Sequence, residues 1–289
     1  MKTKKTKHKI HNPKKKKIDQ IVQQMAKDGV EKLHILADFD STLTRSFVNG
    51  IPTPSIGTAL RKGNFLTSDY TAKANALYDH YSKIERDPSV PKEEKKKIMN
   101  EWWRKSFKLL KDSGLSKKNI ERATTSGEVQ YRPRALEFID CLHKHNIPLV
   151  IMSASTVGAD GIAAHLKHNN SHKNNIHIIS NSFIWDEDGK VSGVCEPIIT
   201  GMNKDETLIQ NFPAFEVVKN RKNVILLGDN IGDVGMVEGF DYENLLKIGF
   251  LNEDPAGDLL PEFEKHYDAV ILDDGPFDFV NSILEKIIS

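Results

Sequence analysis

Three short, almost wholly apolar runs constrain the fold more than any other feature: residues 33–37, 147–152 and 224–227. Each ends in a polar or charged residue and is followed by helix-patterned chain. Continuous apolar strands alternating with helices form parallel sheets covered on both faces. In such sheets, ligands bind outside the carboxyl ends of the strands. The first run leads directly into Asp38-Phe39-Asp40-Ser41-Thr42-Leu43-Thr44. Side chains at i and i+2 of extended backbone point the same way, so the carboxylates of Asp38 and Asp40 should leave the strand end together. Two carboxylates that close repel unless a cation lies between them or one takes a proton. The pair implies a hard cation, acid/base work, or both. A lone Asp-x-Asp is ordinarily a solvated turn, so the reading depends on what lines up downstream.

The rest of the chain reads as an α/β protein with an insert. A first helix runs over residues 18–27 and stops at Asp28-Gly29. Residues 44–52 read as a hairpin turning at Asn49-Gly50, a flap that would cover the site. From 53 to 131 the β-branched runs vanish. Long helices are expected over 67–84 and 92–111, and a short one over 119–124, which makes a helical insert of roughly 80 residues. The alternation then resumes, with helices over 134–145 and 158–168, strands over 147–152 and 176–180, and a hairpin over 183–194. A helix starting at Lys204, strands over 224–227, 245–249 and 269–272, and a closing helix over 277–288 complete it. The expected domains are therefore a tail (1–17), an α/β core (18–52 with 132–289) and a helical cap (53–131).

Three segments fall into line with Asp38 and Asp40. Ser153-Ala154 ends the second apolar run. Lys204 opens a helix, where a cation works against the macrodipole. Gly228-Asp229-Asn230-Ile231-Gly232-Asp233 follows the third run and places two more carboxylates in a glycine-rich turn. This order of Asp-x-Asp, Ser, Lys and Gly-Asp-x-x-Gly-Asp resembles the haloacid dehalogenase superfamily of phosphohydrolases. The resemblance implies a Rossmann-like, doubly wound parallel sheet with an inserted α-helical cap.

It also implies roles. Asp38 would be the nucleophile, forming an aspartyl-phosphate, and Asp40 the general acid and then base. Ser153 and the N–H of Ala154 would bind phosphoryl oxygens. Four acids and one lysine suit a phosphate dianion only with a divalent cation. Mg²⁺ would be held by the Asp38 carboxylate, the Asp40 carbonyl and Asp229, with Asp233 direct or through water. Lys204 would balance the remaining charge.

The cap narrows the resemblance. Tyr81-Ser82-Lys83-Ile84-Glu85-Arg86-Asp87-Pro88 and Glu101-Trp102-Trp103-Arg104-Lys105-Ser106-Phe107, with Leu227-Gly228-Asp229 and Leu246-Lys247-Ile248-Gly249-Phe250-Leu251-Asn252, are similar to the cytosolic 5'-nucleotidase III (pyrimidine 5'-nucleotidase) family. That similarity implies a nucleoside 5'-monophosphate substrate such as CMP or UMP, with 7-methyl-GMP as a family alternative. Glu85 would hydrogen-bond the base, Ser106 would help place the nucleotide, and aromatics of the 102–107 segment (Trp102, Trp103, Phe107) would stack on the base. The same aromatics have helical spacing and would equally suit the core of the cap. Ser155 and Asn230 stand where the family usually has Gly and Ser.

Composition bounds the alternatives. The 289-residue chain has a net charge of +1, yet nine of its first 17 residues are lysine. Such a stretch is expected to be disordered, as a solvated extension, a nuclear-entry signal or a nonspecific contact for nucleic acid. No apolar run reaches the roughly 18 residues of a membrane span. The two cysteines, Cys141 and Cys195, have no metal-ligand spacing, and a zinc site among the eleven histidines is not expected. A cytoplasmic monomer is the expectation. The rival readings are a phosphatase for another small phosphomonoester, such as phosphoserine, and a lysine-tailed nucleic-acid-binding protein. A phosphotransferase side activity through Asp38 is compatible with the first reading.

Overall fold

The computed structural model describes residues 9–87, 89–204, 210–238, 241–254 and 257–289. Its strands are β1 (Ile10–His11), β2 (Leu33–Ala37), β3 (Phe47–Val48), β4 (Ile51–Pro52), β5 (Leu149–Ser153), β6 (Ile176–Ser180), β7 (Phe183–Trp185), β8 (Val191–Val194), β9 (Asn223–Gly228), β10 (Asn244–Leu251) and β11 (Ala269–Leu272). Its helices are α1 (Lys15–Asp28), α2 (Ile56–Lys62), α3 (Tyr70–Arg86), α4 (Lys92–Asp112), α5 (Lys117–Thr124), α6 (Ala135–Lys144), α7 (Gly158–His168), α8 (Ala214–Val218), α9 (Leu260–His266) and α10 (Asp278–Ile288). The helix expected to start at Lys204 lies beyond that residue outside the described residues.

Seven strands form one sheet in the order β1-β11-β10-β9-β2-β5-β6. All pairings are parallel except β1 with β11. The chain leaves β2 toward β5 and β6, then crosses back to β9 on the other side of β2. That reversal makes the crevice above β2 and β9 the topological switch point.

Alternate residues of the central strands bury into two separate cores. Ile35, Ala37, Leu149, Ile151, Ile225 and Leu227 face one side, packed with Ile18, Val22, Phe138 and Val280. Leu36, Val150, Met152, Val224 and Leu226 face the other, packed with Ala214, Val218, Met236 and Phe263. Burial on both faces is what the unbroken apolar runs require. The first core continues into the cap through Met99, Trp102, Trp103 and Leu110. The β7–β8 hairpin joins the cap side as well: Ser116 bridges to Lys190, and Arg104 pairs with Glu196 at 2.7 Å.

Two expectations are corrected. Residues 9–17 are not a solvated tail. Ile10 and His11 pair with Ile271 and Val270. Lys14 donates to the carbonyls of Glu264 and Tyr267 at 2.8 and 2.9 Å, near the carbonyl end of α9, where a cation is favoured. Lys17 pairs with buried Asp268 at 2.8 Å. Residues 1–8 lie outside the described residues. The β3–β4 hairpin forms as expected, but it does not line the cavity described below. The Asp274 carboxylate accepts the N–H groups of Ser46 and Phe47 at 2.9 and 3.2 Å and ties the hairpin to the far side.

Candidate active site

The carboxyl ends of β9, β2 and β5 lie side by side. Ala37 is in register with both Leu227 and Ile151, so Asp38, Asp229 and Ser153 emerge as neighbours. The chain then turns sharply over Phe39–Leu43, with Ser41 at φ 61°. The Thr44 N–H closes this turn on the Phe39 carbonyl at 3.1 Å. The Asp40 carboxylate accepts the N–H of Ile56 at 3.2 Å, at the start of α2.

Carboxylate oxygens of Asp38, Asp229 and Asp233 all lie within 4.8 Å of one another. Buried Lys204 donates to Asp38 and, at 2.8 Å, to Asp233. Thr42 donates to Asp229 at 3.4 Å. The second carboxylate oxygen of Asp233 accepts the Asn230 N–H at 3.0 Å. At Gly228 a Cβ would lie 2.6 Å from Asp233 Cβ and 2.8 Å from the Tyr267 hydroxyl. Only glycine lets this loop fold back far enough to bring Asp233 to Asp38.

The electrostatics follow from burial. Asp38 is pushed up to about 7 by desolvation, and the Asp233 and Asp40 charges add to the rise although Lys204 opposes it. Desolvation also raises Asp40 to about 6. Asp229 is raised by burial and by Asp38 and Asp233. Burial alone would lower the Lys204 ammonium, but Asp233 and Asp38 outweigh it and hold it above the ordinary lysine value. One ammonium cannot neutralise three clustered carboxylates. This oxygen-only donor set with unmet negative charge suits a divalent cation.

A cavity of about 290 Å³ opens over this cluster. Asp38, Asp40, Ser153, Ala154 and Lys204 line its floor, while Trp102 and Ser106 line its cap side, as the sequence reading expected them to share one site. Trp102 is buried and stacks on Tyr81, with centroids 5.7 Å apart and 12° between planes. Phe107 corrects the expectation of base stacking. It is absent from the cavity wall and packs edge-on against Phe183 at 5.8 Å. Its neighbours on α4 face the cavity, and a single helical position decides which way each ring points. Glu85 does not line this cavity either. Its carboxylate faces the 201 loop, 3.8 Å from where a Cβ on Gly201 would lie, and burial raises it above the usual range.

Two further residues shape the site: Trp103, which the sequence reading leaves between base stacking and cap packing, and Arg132, which it misses. Trp103 donates its indole N–H to the Ala154 carbonyl at 2.8 Å, pinning α4 to the loop that follows β5. Arg132 is fully buried behind the Phe39–Leu43 turn. It donates to the carbonyls of Thr42 (2.9 Å), Gly275 (2.9 Å) and Ser41, and to the Asn252 side chain (2.8 Å). Nothing in the sequence around Arg132 separates it from a surface arginine; the proline that follows it is the only local oddity.

The family model for pyrimidine 5'-nucleotidase (UMPH-1) matches residues 41–288. The chain belongs to this family. It is 32% identical over 269 residues to the 7-methylguanosine phosphate-specific 5'-nucleotidase of Gallus gallus, covering 93% of this chain and 92% of that one. It is 33% identical to the Homo sapiens enzyme of the same name, covering 94% and 90%. Among solved structures, cytosolic 5'-nucleotidase IIIB bound to cytidine superposes with a TM-score of 0.89 at 27% identity, over 98% of this chain and 94% of that one. Phosphoserine phosphatase in apo form shares the fold, with a TM-score of 0.51 at 18% identity. The chain is thus a 5'-nucleotidase with a haloacid dehalogenase-like fold. No helix among the described residues is long and apolar enough to cross a membrane. At the two positions that depart from the family pattern, both side chains serve local turns. The Ser155 hydroxyl accepts the Val157 N–H at 3.3 Å, and the Asn230 side chain accepts the Gly232 N–H at 2.8 Å.

Proposed function

We propose that this 5'-nucleotidase hydrolyses nucleoside 5'-monophosphates, pyrimidine nucleotides first among them, by a Mg²⁺-dependent route through an aspartyl-phosphate on Asp38. The observation that carries the reading is the meeting of Asp38, Asp229, Asp233 and Lys204 at adjacent strand ends beneath an aromatic-lined cavity. Lys204 holds the Asp38 carboxylate toward the cavity floor, where a phosphoryl group would approach. Attack by Asp38 forms a new O–P bond as the bond to the 5'-oxygen breaks. Asp40, with its raised proton affinity, delivers the proton to the leaving alkoxide and later takes one from the hydrolytic water. Ser153 and the Ala154 N–H bind the phosphoryl oxygens. Asp38, Asp229 and Asp233, with the Asp40 carbonyl, would hold the Mg²⁺, which supplies charge neutralisation for the incoming dianion. Trp102 and Ser106 would place the nucleoside, and Glu85 would reach the nucleotide only after a movement of the cap. The names of the cytosolic 5'-nucleotidases that it resembles support a cytosolic setting for the same chemistry.

Initial rates over CMP, UMP, 7-methyl-GMP, GMP, AMP and phosphoserine, with Mg²⁺ and with EDTA, test this reading. Nucleotide turnover that disappears with EDTA and in Asp38→Asn is expected. Phosphoserine turnover far above every nucleotide would overturn it, as would an Asp38→Asn variant keeping more than a few per cent of the wild-type rate.

A further inference from the structure

The cavity has a second end, and its chemistry is not that of the floor. Away from Asp38 and Lys204 it is walled by cap residues, including Tyr70 and Tyr78 of α3, Trp102 of α4 and Arg61 of α2. The Arg61 guanidinium lies over the Tyr78 ring, 4.4 Å from its centroid. Tyr78 in turn lies 6.1 Å from Trp102. The backbone of Arg61 is held by Thr71, whose hydroxyl donates to its carbonyl at 2.8 Å. The Arg61 Nε is buried and has no hydrogen-bond partner. Among the described residues, no carboxylate pairs with this guanidinium. The only acids among the described residues of the cavity wall are Asp38 and Asp40, both at the floor. A second cation, Arg86, donates to the Tyr78 hydroxyl at 3.0 Å.

We infer that Arg61 sets the base preference of this site, selecting neutral bases that present carbonyl acceptors and rejecting the cationic 7-methylguanine. The inference rests on the nucleotidase reading above and deepens it. A planar guanidinium whose Nε is buried pairs through its terminal N–H groups with oxygen or nitrogen acceptors on a base edge. Uracil and cytosine both offer such acceptors. A 7-methylated guanine carries a positive charge and gains most from an open aromatic face. Here Arg61 already covers the Tyr78 face, and a cationic base would enter beside an uncompensated like charge. This preference would set the chain apart from the 7-methylguanosine phosphate-specific enzymes that it resembles.

The test compares kcat/KM for CMP, UMP, 7-methyl-GMP and 7-methyl-7-deaza-GMP, the last a neutral isostere of the methylated nucleotide. Wild-type enzyme is assayed with Mg²⁺ at mildly acidic pH, where the methylated base keeps its full charge, beside Arg61→Gln and Arg61→Lys. The wild type is expected to favour CMP or UMP over 7-methyl-GMP by about tenfold or more, and the neutral isostere over its cationic counterpart by a similar factor. Arg61→Gln should narrow both ratios, mainly through KM, and Arg61→Lys should keep the charge discrimination. Equal or better wild-type turnover of 7-methyl-GMP would overturn the inference. So would unchanged ratios in an Arg61→Gln protein that melts with the wild type. Should that variant fail to fold, the wild-type comparison of cationic and neutral isosteres still decides. Hydrolysis of p-nitrophenyl phosphate with no turnover of any nucleotide is a different result, and it overturns the nucleotidase reading itself.

Discussion

Arg132 donates through Nε to the carbonyl oxygen of Thr42 at 2.9 Å, inside the turn that follows Asp38. Together with its bonds to Ser41, Gly275 and Asn252, this makes a buried guanidinium the internal mould of the turn that presents Asp38 and Asp40. Its charge is balanced by Asp274 at 3.0 Å, the same carboxylate that holds the β3–β4 hairpin. Lysine keeps the charge but cannot serve several carbonyls at fixed angles. Arg132→Lys should therefore lower kcat at least tenfold, with a smaller change in KM. Arg132→Ala should cost about 3 kcal/mol or more in stability, because the buried carbonyls of Ser41, Thr42 and Gly275 lose their donor and Asp274 keeps only the longer pairing with Arg45 at 3.5 Å. Steady-state kinetics and urea denaturation measure the two effects separately.

The clustered carboxylates predict a stability response to metal. Burial raises both Asp38 and Asp229, with the Asp233 and Asp40 charges adding at Asp38 and the Asp38 and Asp233 charges adding at Asp229, so a cation binding among them should stabilise the folded state. Mg²⁺ at a hundredfold excess over its dissociation constant should add about 2.7 kcal/mol by linkage. The melting temperature should rise on titration with Mg²⁺ and fall back with EDTA. Asp229→Asn should melt at or above the metal-free wild type and lose most of the Mg²⁺-dependent rise. A rise of equal size in Asp229→Asn would move the cation elsewhere.

The lysine-rich N-terminal stretch shows what a sequence conceals. Its charge was legible and its anchoring was not, because Lys14 and Lys17 find partners at Glu264, Tyr267 and Asp268, some 250 positions away. The central strands were legible because burial on both faces leaves few polar positions, His34 and Asn223 among them, and the carboxyl-end motifs were legible because each apolar run points at its own. Arg132 and Arg61 were not, since an arginine that supports a buried turn reads like any surface arginine. Phe107 was misread because helical spacing names the face of a helix only when its neighbours are known. Removing residues 1–8 leaves all of these anchoring contacts in place and should leave stability unchanged. Removing 1–17 deletes an edge strand and both lysine contacts, and it should lower the unfolding free energy by about 1–3 kcal/mol. Urea midpoints of the two truncations test this; equal midpoints would show that the anchoring carries no weight.

His34 predicts how stability depends on pH. It is fully buried in β2, with Nδ1 2.9 Å from the Arg221 carbonyl. Burial lowers its pKa from 6.5 to about 3, against a smaller opposing effect of that carbonyl. Below about pH 6.5 the unfolded chain binds a proton that the folded chain refuses, so stability falls as pH drops toward 3. At about pH 5 the loss from this residue alone is about 2 kcal/mol. The difference in unfolding free energy between neutral pH and about pH 5 should shrink by that amount in His34→Leu. An unchanged difference would mean that His34 titrates alike in both states.

Gly228 gives the most local prediction. A methyl group there would lie 2.6 Å from Asp233 Cβ and 2.8 Å from the Tyr267 hydroxyl, closer than any relaxed contact allows. Tyr267 cannot easily retreat, because its ring is buried and its hydroxyl donates to the Asn230 carbonyl at 2.6 Å. The strain must fall on Asp233, the carboxylate that Lys204 shares with Asp38. Gly228→Ala should thus cost about 1–3 kcal/mol in stability as an overpacking change. It should also raise the Mg²⁺ concentration needed for half-maximal rate, since the 231–237 turn can no longer close on the strand end. A variant with normal Mg²⁺ dependence and a lowered melting temperature would confine the glycine to packing. The expected loss of both ties the third carboxylate to a single missing methyl group.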